Sequence, residues 1–112
     1  MHARALYGPL AGPMVVVVFR ARFKPRTNMM ELAKVGERMY ELVSSMPGYL
    51  SHKEFVAEDG ETVSLFEFDS LESVAAWREH PEHKQAQQRG REEFFAEYHI
   101  QVCSPIRDYR YG

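Results

Sequence analysis

Apolar and polar residues alternate in the segment that follows residue 13, which is the pattern of a β-strand. We predict this strand from Val15 to Phe23. One of its faces carries Val17, Phe19, Ala21 and Phe23, and the other carries Val16, Val18, Arg20 and Arg22. The alternation leaves open which of the two faces meets the helices.

The apolar period then changes to that of a helix. Thr27 or Asn28 is expected to cap this helix, and Pro47-Gly48 ends it. Its apolar positions are Leu32, Val35, Met39, Leu42, Val43 and Met46. We expect the methionines of this segment to fill the core, because thioether side chains pack adaptably; they are Met29, Met30, Met39 and Met46.

Two further strands are predicted at Tyr49–Ala57 and Thr62–Phe68, because Asp59-Gly60 between two alternating segments is a strong hairpin signal. Ser70 can cap a short helix from Leu71 to Glu79.

Pro81 is suited to the first turn of the next helix, which we predict to run to about Glu97 and in which Gly90 permits close packing. A last strand is predicted from about Tyr98 to Tyr109. The order β-α-β-β-α-β predicts an α+β, ferredoxin-like fold, with helices on one face of an antiparallel sheet.

The chain length and charge indicate one domain that does not bind nucleic acid. The chain has 112 residues, and 14 Lys and Arg nearly balance 16 Asp and Glu. Gly8-Pro9 and Gly12-Pro13 separate residues 1–13, which we expect to form an N-terminal arm, from a single domain at residues 14–112.

The single cysteine excludes an intramolecular disulfide and a Cys-rich zinc site, and indicates a reducing, cytoplasmic setting. We expect this residue, Cys103, to be a buried and inert thiol. No segment approaches the roughly 18 apolar residues of a membrane helix, so no membrane partner is expected.

Helices on one side leave the other sheet face open. Its composition mixes apolar residues with charges that can pair across strands. Because Val, Leu and Ile are too numerous for a solvated face, we expect a second copy of the sheet to cover it. The sequence therefore predicts a homodimer through the open sheet face.

Four segments, taken in order, resemble the antibiotic biosynthesis monooxygenase domain, which forms a dimeric α/β-barrel. They are Met46-Pro47-Gly48-Tyr49, Trp77-Arg78-Glu79-His80-Pro81-Glu82-His83, Gln87-Gln88-Arg89-Gly90-Arg91 and Tyr98-His99-Ile100-Gln101-Val102-Cys103. The resemblance as a whole covers about Met14 to Tyr111, which is all of the chain except the N-terminal arm and the last residue.

The resemblance implies oxidation of a small aromatic or quinol-type substrate by dioxygen, with no flavin, metal or other cofactor. It also implies that Trp77 lines a pocket between the helices and the sheet. Taken from the residues alone, Trp77 is expected to be a core aromatic that anchors the short helix to the sheet, and the two roles are compatible. We expect Tyr40, Tyr49 and Phe66 to line the same pocket, and His83 to be a proton shuttle, because its ordinary pKa near 6.5 suits that role. The alternative is a dimer that keeps the fold without catalysis and binds a small hydrophobic molecule.

Two other uses of these residues are disfavoured. Haem-degrading relatives use an Asn on the first strand and a His ten residues after the Trp, but here the only Asn is Asn28 and the tenth position is Gln87. His80 and His83 have a spacing that metal sites use, but no third ligand lies nearby in sequence. We therefore expect a surface pair at a helix start and no metal.

Overall fold

A computed structural model of the chain describes residues 14–112, so the N-terminal arm predicted for residues 1–13 lies outside the described residues. Its four strands are β1 (Val15–Phe23), β2 (Tyr49–Val56), β3 (Thr62–Phe68) and β4 (Phe95–Cys103). They form one antiparallel sheet in the order β2-β3-β1-β4. The helices are α1 (Met29–Ser44), α2 (Leu71–Glu79) and α3 (Pro81–Arg89), and a π-helical turn at Gly90–Phe94 connects α3 to β4. The ferredoxin-like β-α-β-β-α-β order is confirmed.

Local sequence explains where these elements begin and turn. The Asn28 side chain accepts a hydrogen bond from the Glu31 amide and thereby caps α1. Gly60 adopts a positive φ of 89° in the turn between β2 and β3, a conformation that glycine tolerates without strain. Gly48, with φ of 86°, reverses the chain between α1 and β2. Turn chemistry thus fixes both connections around β2.

The core lies between the helices and the face of β1 that carries Val15, Val17, Phe19 and Ala21. Val15, Val43, Phe68, Val74 and Trp77 are buried together there, and Val17, Met39, Leu42, Met46, Tyr49 and Phe66 pack against them. This contact decides which sheet face meets the helices. Met29 and Met30 were predicted to fill the core, but they are exposed, because they occupy the first turn of α1 on its outer side.

The end of the chain differs from the prediction. The helix expected to reach Glu97 ends at Arg89, and Gly90–Phe94 widens into a π-turn. The strand expected at Tyr98–Tyr109 starts earlier and ends at Cys103, which is opposite Val16 near the first residue of β1. Among the described residues, none after Cys103 pairs with β1, and the strand ends there.

The opposite sheet face is left uncovered by helices. It carries Val16 and Val18 of β1 beside the guanidinium groups of Arg20 and Arg22. Arg20 makes a two-pronged ion pair with Glu61, at 3.0 and 3.1 Å, and Arg22 lies 2.7 Å from the Asp59 carboxylate. Charges at one end of this face are thus paired within the chain, and its apolar residues stay open.

Cys103 lies on the same uncovered face, on the edge strand β4, and its thiol is exposed. The prediction of a buried thiol in the isolated chain is therefore wrong. The thiol is exposed because β4 lies at the edge of the sheet, where only one neighbouring strand shields the side chain.

Candidate active site between the helices and the sheet

Trp77 and His83 form a stacked pair where α2 turns into α3. Trp77 is 8% exposed and belongs to the core, and the His83 ring lies over it with centroids 3.9 Å apart and planes 11° from parallel. His80 makes this geometry possible: its extended backbone ends α2, and its Nδ1 accepts a hydrogen bond from the Glu82 amide to cap α3. The chain therefore folds back so that His83 reaches the indole.

His80 and His83 lie at the start of α3, as predicted, but both side chains are half-buried rather than fully exposed. His80 serves as a helix cap and His83 as a stacking partner. Within residues 14–112, no group of three or more His, Cys, Asp or Glu side chains is arranged to hold a metal ion.

The protonation of His83 follows from its contacts. Its Nδ1 lies 2.9 Å from the Trp77 carbonyl oxygen. A carbonyl only accepts, so Nδ1 carries the hydrogen and Nε2 keeps a lone pair. Burial lowers the pKa of His83, against the opposing effect of the Trp77 hydrogen bond. His83 is thus a neutral imidazole near pH 7 whose Nε2 can accept a proton.

Gln87 lies one helical turn after His83 and adjoins its ring. The Gln87 amide nitrogen is 3.4 Å from Nδ1 and 3.5 Å from Nε2. Because Nδ1 already donates to Trp77, the amide can donate only to Nε2, and 3.5 Å makes that bond weak. His83 Nε2 is therefore only weakly engaged by Gln87 and is able to accept another hydrogen bond or a proton.

A second aromatic group lies on the β2 side of the same face. The His52 ring stacks on Phe66 with centroids 4.3 Å apart and planes 8° from parallel. The Tyr40 ring of α1 contacts the His52 ring with centroids 5.3 Å apart and planes 55° from parallel, and the side chains of Tyr40 and Tyr49 interact. Burial first, and then this link to Tyr40, raises the pKa of Tyr49.

The five residues predicted for the site therefore fall into two groups. Trp77 and His83 form one, while Tyr40, Tyr49 and Phe66 form the other. The core connects them, because Tyr49 and Phe66 pack against the cluster that contains Trp77. Tyr40 differs from the rest in being half exposed to solvent.

His52 is the member that sequence reasoning missed. Its Nδ1 is buried without a hydrogen-bond partner among residues 14–112. Strict alternation along β2 would place His52 on the sheet face opposite to that of Tyr49, away from the helices. The register shift between Tyr49 and Ser51 turns His52 toward the helices, and no residue type in the segment signals that shift.

Part of the helix-side face remains uncovered along β4. Tyr98, Ile100 and Val102 point to the same side as Phe19 and Val17, and each is more than a third exposed. Phe19, Phe95 and Tyr98 are in ring contact at 5.4 to 5.8 Å, and Arg91 donates to the Tyr98 hydroxyl at 3.2 Å. An apolar surface with one cationic edge thus adjoins the site.

Comparison with known proteins identifies the group to which this fold and sequence belong. The model of the antibiotic biosynthesis monooxygenase family matches residues 14–89, more than half of the chain. The chain belongs to this family. The resemblance inferred from the four sequence segments is therefore confirmed.

Individual relatives agree with the family assignment. YqjZ of Bacillus subtilis strain 168, described as uncharacterized, is 30% identical over 74 residues, which are 66% of this chain and 65% of YqjZ. The chain thus spans about two-thirds of that relative's length.

Two solved structures of similar fold are SnoaB and a protein from Thermobifida fusca. SnoaB of Streptomyces nogalater is described as a cofactor-independent oxygenase and is 13% identical, with a TM-score of 0.72 over 86% of this chain and 96% of SnoaB. The Thermobifida fusca protein, described as a dimeric ferredoxin-like protein of unknown function, is 13% identical, with a TM-score of 0.70 over 87% and 95% of the two chains.

None of the helices in the described part of the chain is long and apolar enough to cross a membrane.

Proposed function

We propose that the protein is a cofactor-independent monooxygenase that acts on a small aromatic or quinol-type substrate. The observation that carries this proposal is the stacked His83, whose Nδ1 is held by the Trp77 carbonyl so that Nε2 is left as a neutral base. Membership of the monooxygenase family and the likeness in fold to a cofactor-independent oxygenase support it.

The chemistry requires little from the protein beyond a base and a dry pocket. His83 Nε2 takes a proton from an anthrone or quinol, which becomes an electron-rich anion able to reduce dioxygen itself. For an anthrone, the CH₂ carbon gains one oxygen atom and becomes a carbonyl, and the other oxygen atom leaves as water with the two hydrogens. The substrate supplies all the electrons. The aromatic walls exclude water and strengthen the electrostatic interactions of the anion.

Oxygen uptake by the purified chain, with hydroquinones and anthrones and no added flavin or metal, tests this proposal. We expect uptake above the blank that is lost in His83→Phe, which keeps a stacking ring but has no base. Lys84→Gln is the matched control, because Lys84 is exposed on the same helix. Uptake equal to the blank across the panel would refute the enzymatic reading.

The near-complete burial of Trp77 favours one alternative, a protein that binds a small hydrophobic molecule without oxidising it. A closed indole offers no wall to a substrate unless His83 moves. Quenching of Trp77 fluorescence by a hydroquinone without oxygen uptake would support this alternative over the enzyme.

We also propose that the functional unit is a homodimer formed through the uncovered sheet face. Val16, Val18, Val63 and Leu65 share that face, and the half-exposed Phe55 adjoins them. Such a surface buries apolar area when two copies meet. The related Thermobifida fusca protein, described as dimeric, supports the proposal.

A further inference from the structure

His52 presents a polar atom that the chain itself leaves unsatisfied. Among the described residues, its Nδ1 is the one buried side-chain nitrogen or oxygen atom without a hydrogen-bond partner. Such atoms are uncommon in folded proteins, because a buried polar group without a partner loses its hydrogen bonds to water and gains none in return. An unpartnered ring nitrogen among aromatic side chains therefore indicates a missing hydrogen-bonding group.

The surroundings of His52 are aromatic and almost free of charge. Phe66 of β3 covers one ring face, Tyr40 of α1 contacts the ring at a tilt of 55°, and Glu54 on its own strand is the carboxylate that acts on it. Glu54 is exposed and accepts a hydrogen bond from Ser64 at 3.3 Å. Burial outweighs Glu54 and lowers the pKa of His52, so the ring is neutral near pH 7.

Tyr40 is the part of this arrangement that can move. It is 50% exposed on α1, whereas His52 and Phe66 are half-buried on adjacent strands of the sheet. Exposed side chains change rotamer in picoseconds to nanoseconds, whereas the backbone of paired strands keeps its position on that timescale. Displacement of the Tyr40 ring would uncover the edge of His52 while the stack of His52 on Phe66 stays in place.

We propose that His52 and Phe66 form a binding site for a phenolic hydroxyl of a flat aromatic ligand, with Tyr40 as its movable cover. In this site the ring hydrogen of His52 is on Nε2, the phenolic hydroxyl donates to Nδ1, and the ligand ring takes the place of Tyr40. The choice of a phenol rests on the proposed function, because quinols carry this group; the site itself rests on the unpartnered nitrogen and its aromatic walls. His52 is here a binding residue and His83 the base.

Nuclear magnetic resonance of the histidine rings in the full chain tests the site, with hydroquinone as the probe. We expect hydroquinone to shift the ring signals of His52, and 1,4-dimethoxybenzene, which has the same ring and no hydroxyl hydrogen, to leave them in place. His52 signals unmoved by saturating hydroquinone would overturn the proposal.

Matched variants extend the test to binding strength. His52→Phe keeps an aromatic ring on Phe66 and should raise the Kd for hydroquinone about tenfold, the worth of one good hydrogen bond. His99→Phe, on the opposite sheet face, should leave that Kd unchanged. An equal Kd in His52→Phe and wild type would contradict the proposal.

Two changes at Tyr40 test its role as cover. Tyr40→Ala should raise the pKa of His52 toward its ordinary value of 6.5, because solvent then reaches the ring, whereas Tyr40→Phe should not. An unchanged pKa in Tyr40→Ala would show that Tyr40 is not the cover. These binding measurements are separate from oxygen uptake, so hydroquinone binding at His52 without oxidation would refute the proposed activity and leave this site standing.

Discussion

The His83 imidazole lies flat on the Trp77 indole and donates from Nδ1 to the backbone carbonyl of that same residue, at 2.9 Å. One tryptophan thus fixes both the plane of the histidine and its tautomer. The indole is in turn fixed by the core, where it packs with Val15, Val43 and Phe68. The position of the His83 imidazole is therefore set by the packing of α2 on the sheet.

Activity should depend on His83 through its base form. In His83→Phe we expect kcat for hydroquinone or anthrone oxidation to fall by about 10²–10⁴-fold, the usual contribution of a positioned base. In the wild-type chain, the rate should fall as the pH drops through the pKa of His83, which burial places below 6.5. Oxygen-electrode rates from pH 5 to 8 measure this limb.

Gln87 and Gln85 provide a matched pair for the same base. Gln87 adjoins the His83 ring, whereas Gln85 is exposed on the same helix. Gln87→Ala should change the pH midpoint or rate of oxidation, and Gln85→Ala should change neither. A rate that is independent of pH and of His83 would remove this residue from the mechanism.

Stability should fall below pH 6.5 because of His52 and His83. Burial lowers the pKa of both rings in the folded chain, so the unfolded chain binds protons first as the pH drops. The stabilisation is complete above pH 6.5 and is lost between 6.5 and the lowered folded pKa values. Glu79 and Glu82, whose pKa values are lowered by Lys84 and Arg38, act in a separate window below 4.5.

Urea unfolding midpoints at pH 7 and at about pH 5.5 separate these windows. The double variant His52→Phe, His83→Phe should lose less stability between the two pH values than the wild type. His99→Phe, on the other sheet face, is the control. An unchanged dependence on pH in the double variant would show that neither ring contributes.

Elements whose ends depend on local sequence signals were predicted correctly, whereas an end that depends on residues remote in sequence was not. β1, β3 and α2 have the predicted bounds, because alternation, Asp59-Gly60 and the Ser70 cap are local signals. The predicted end of α3 was wrong because contacts with a segment remote in sequence determine where the helix ends. The Lys24 amide donates to the Phe94 carbonyl, and Phe23 pairs with Phe95. Phe95 is thereby drawn into β4 although its segment has a helical pattern.

The candidate site divides in the same way. Trp77 could be singled out from the resemblance to the monooxygenase domain, and His83 because the ordinary pKa of a histidine suits proton transfer. The stacking of His52 on Phe66 joins two strands through a register shift. That His52 Nδ1 has no hydrogen-bond partner among the described residues follows only from the three-dimensional positions of its neighbours, Tyr40 among them. Residue types alone do not encode such an absence.

The stability of the fold should depend on Gly90, because a side chain at this position would collide with Phe95. A Cβ built there would lie 2.6 Å from the Phe95 ring, so Gly90→Ala should destabilise the chain by about 1–3 kcal/mol, as overpacking does. Gly36 within α1 has no atom within 4 Å of its would-be Cβ, and Gly36→Ala should stabilise by about 0.5–1 kcal/mol. Urea unfolding compares the two, and equal effects would contradict a packing role for Gly90.

The uncovered sheet face should hold two copies together. Val18 lies at the centre of this face, between Leu65 of β3 and Gln101 of β4. Val18→Asp would bury a carboxylate against its symmetry mate, so sedimentation should change from twice the chain mass to the single-chain 13.0 kDa. Met30→Asp, at a 76% exposed position on α1, should remain dimeric. Circular dichroism confirms that both variants are folded, and a wild-type chain that sediments as a 13.0 kDa monomer at micromolar concentration would refute the dimer.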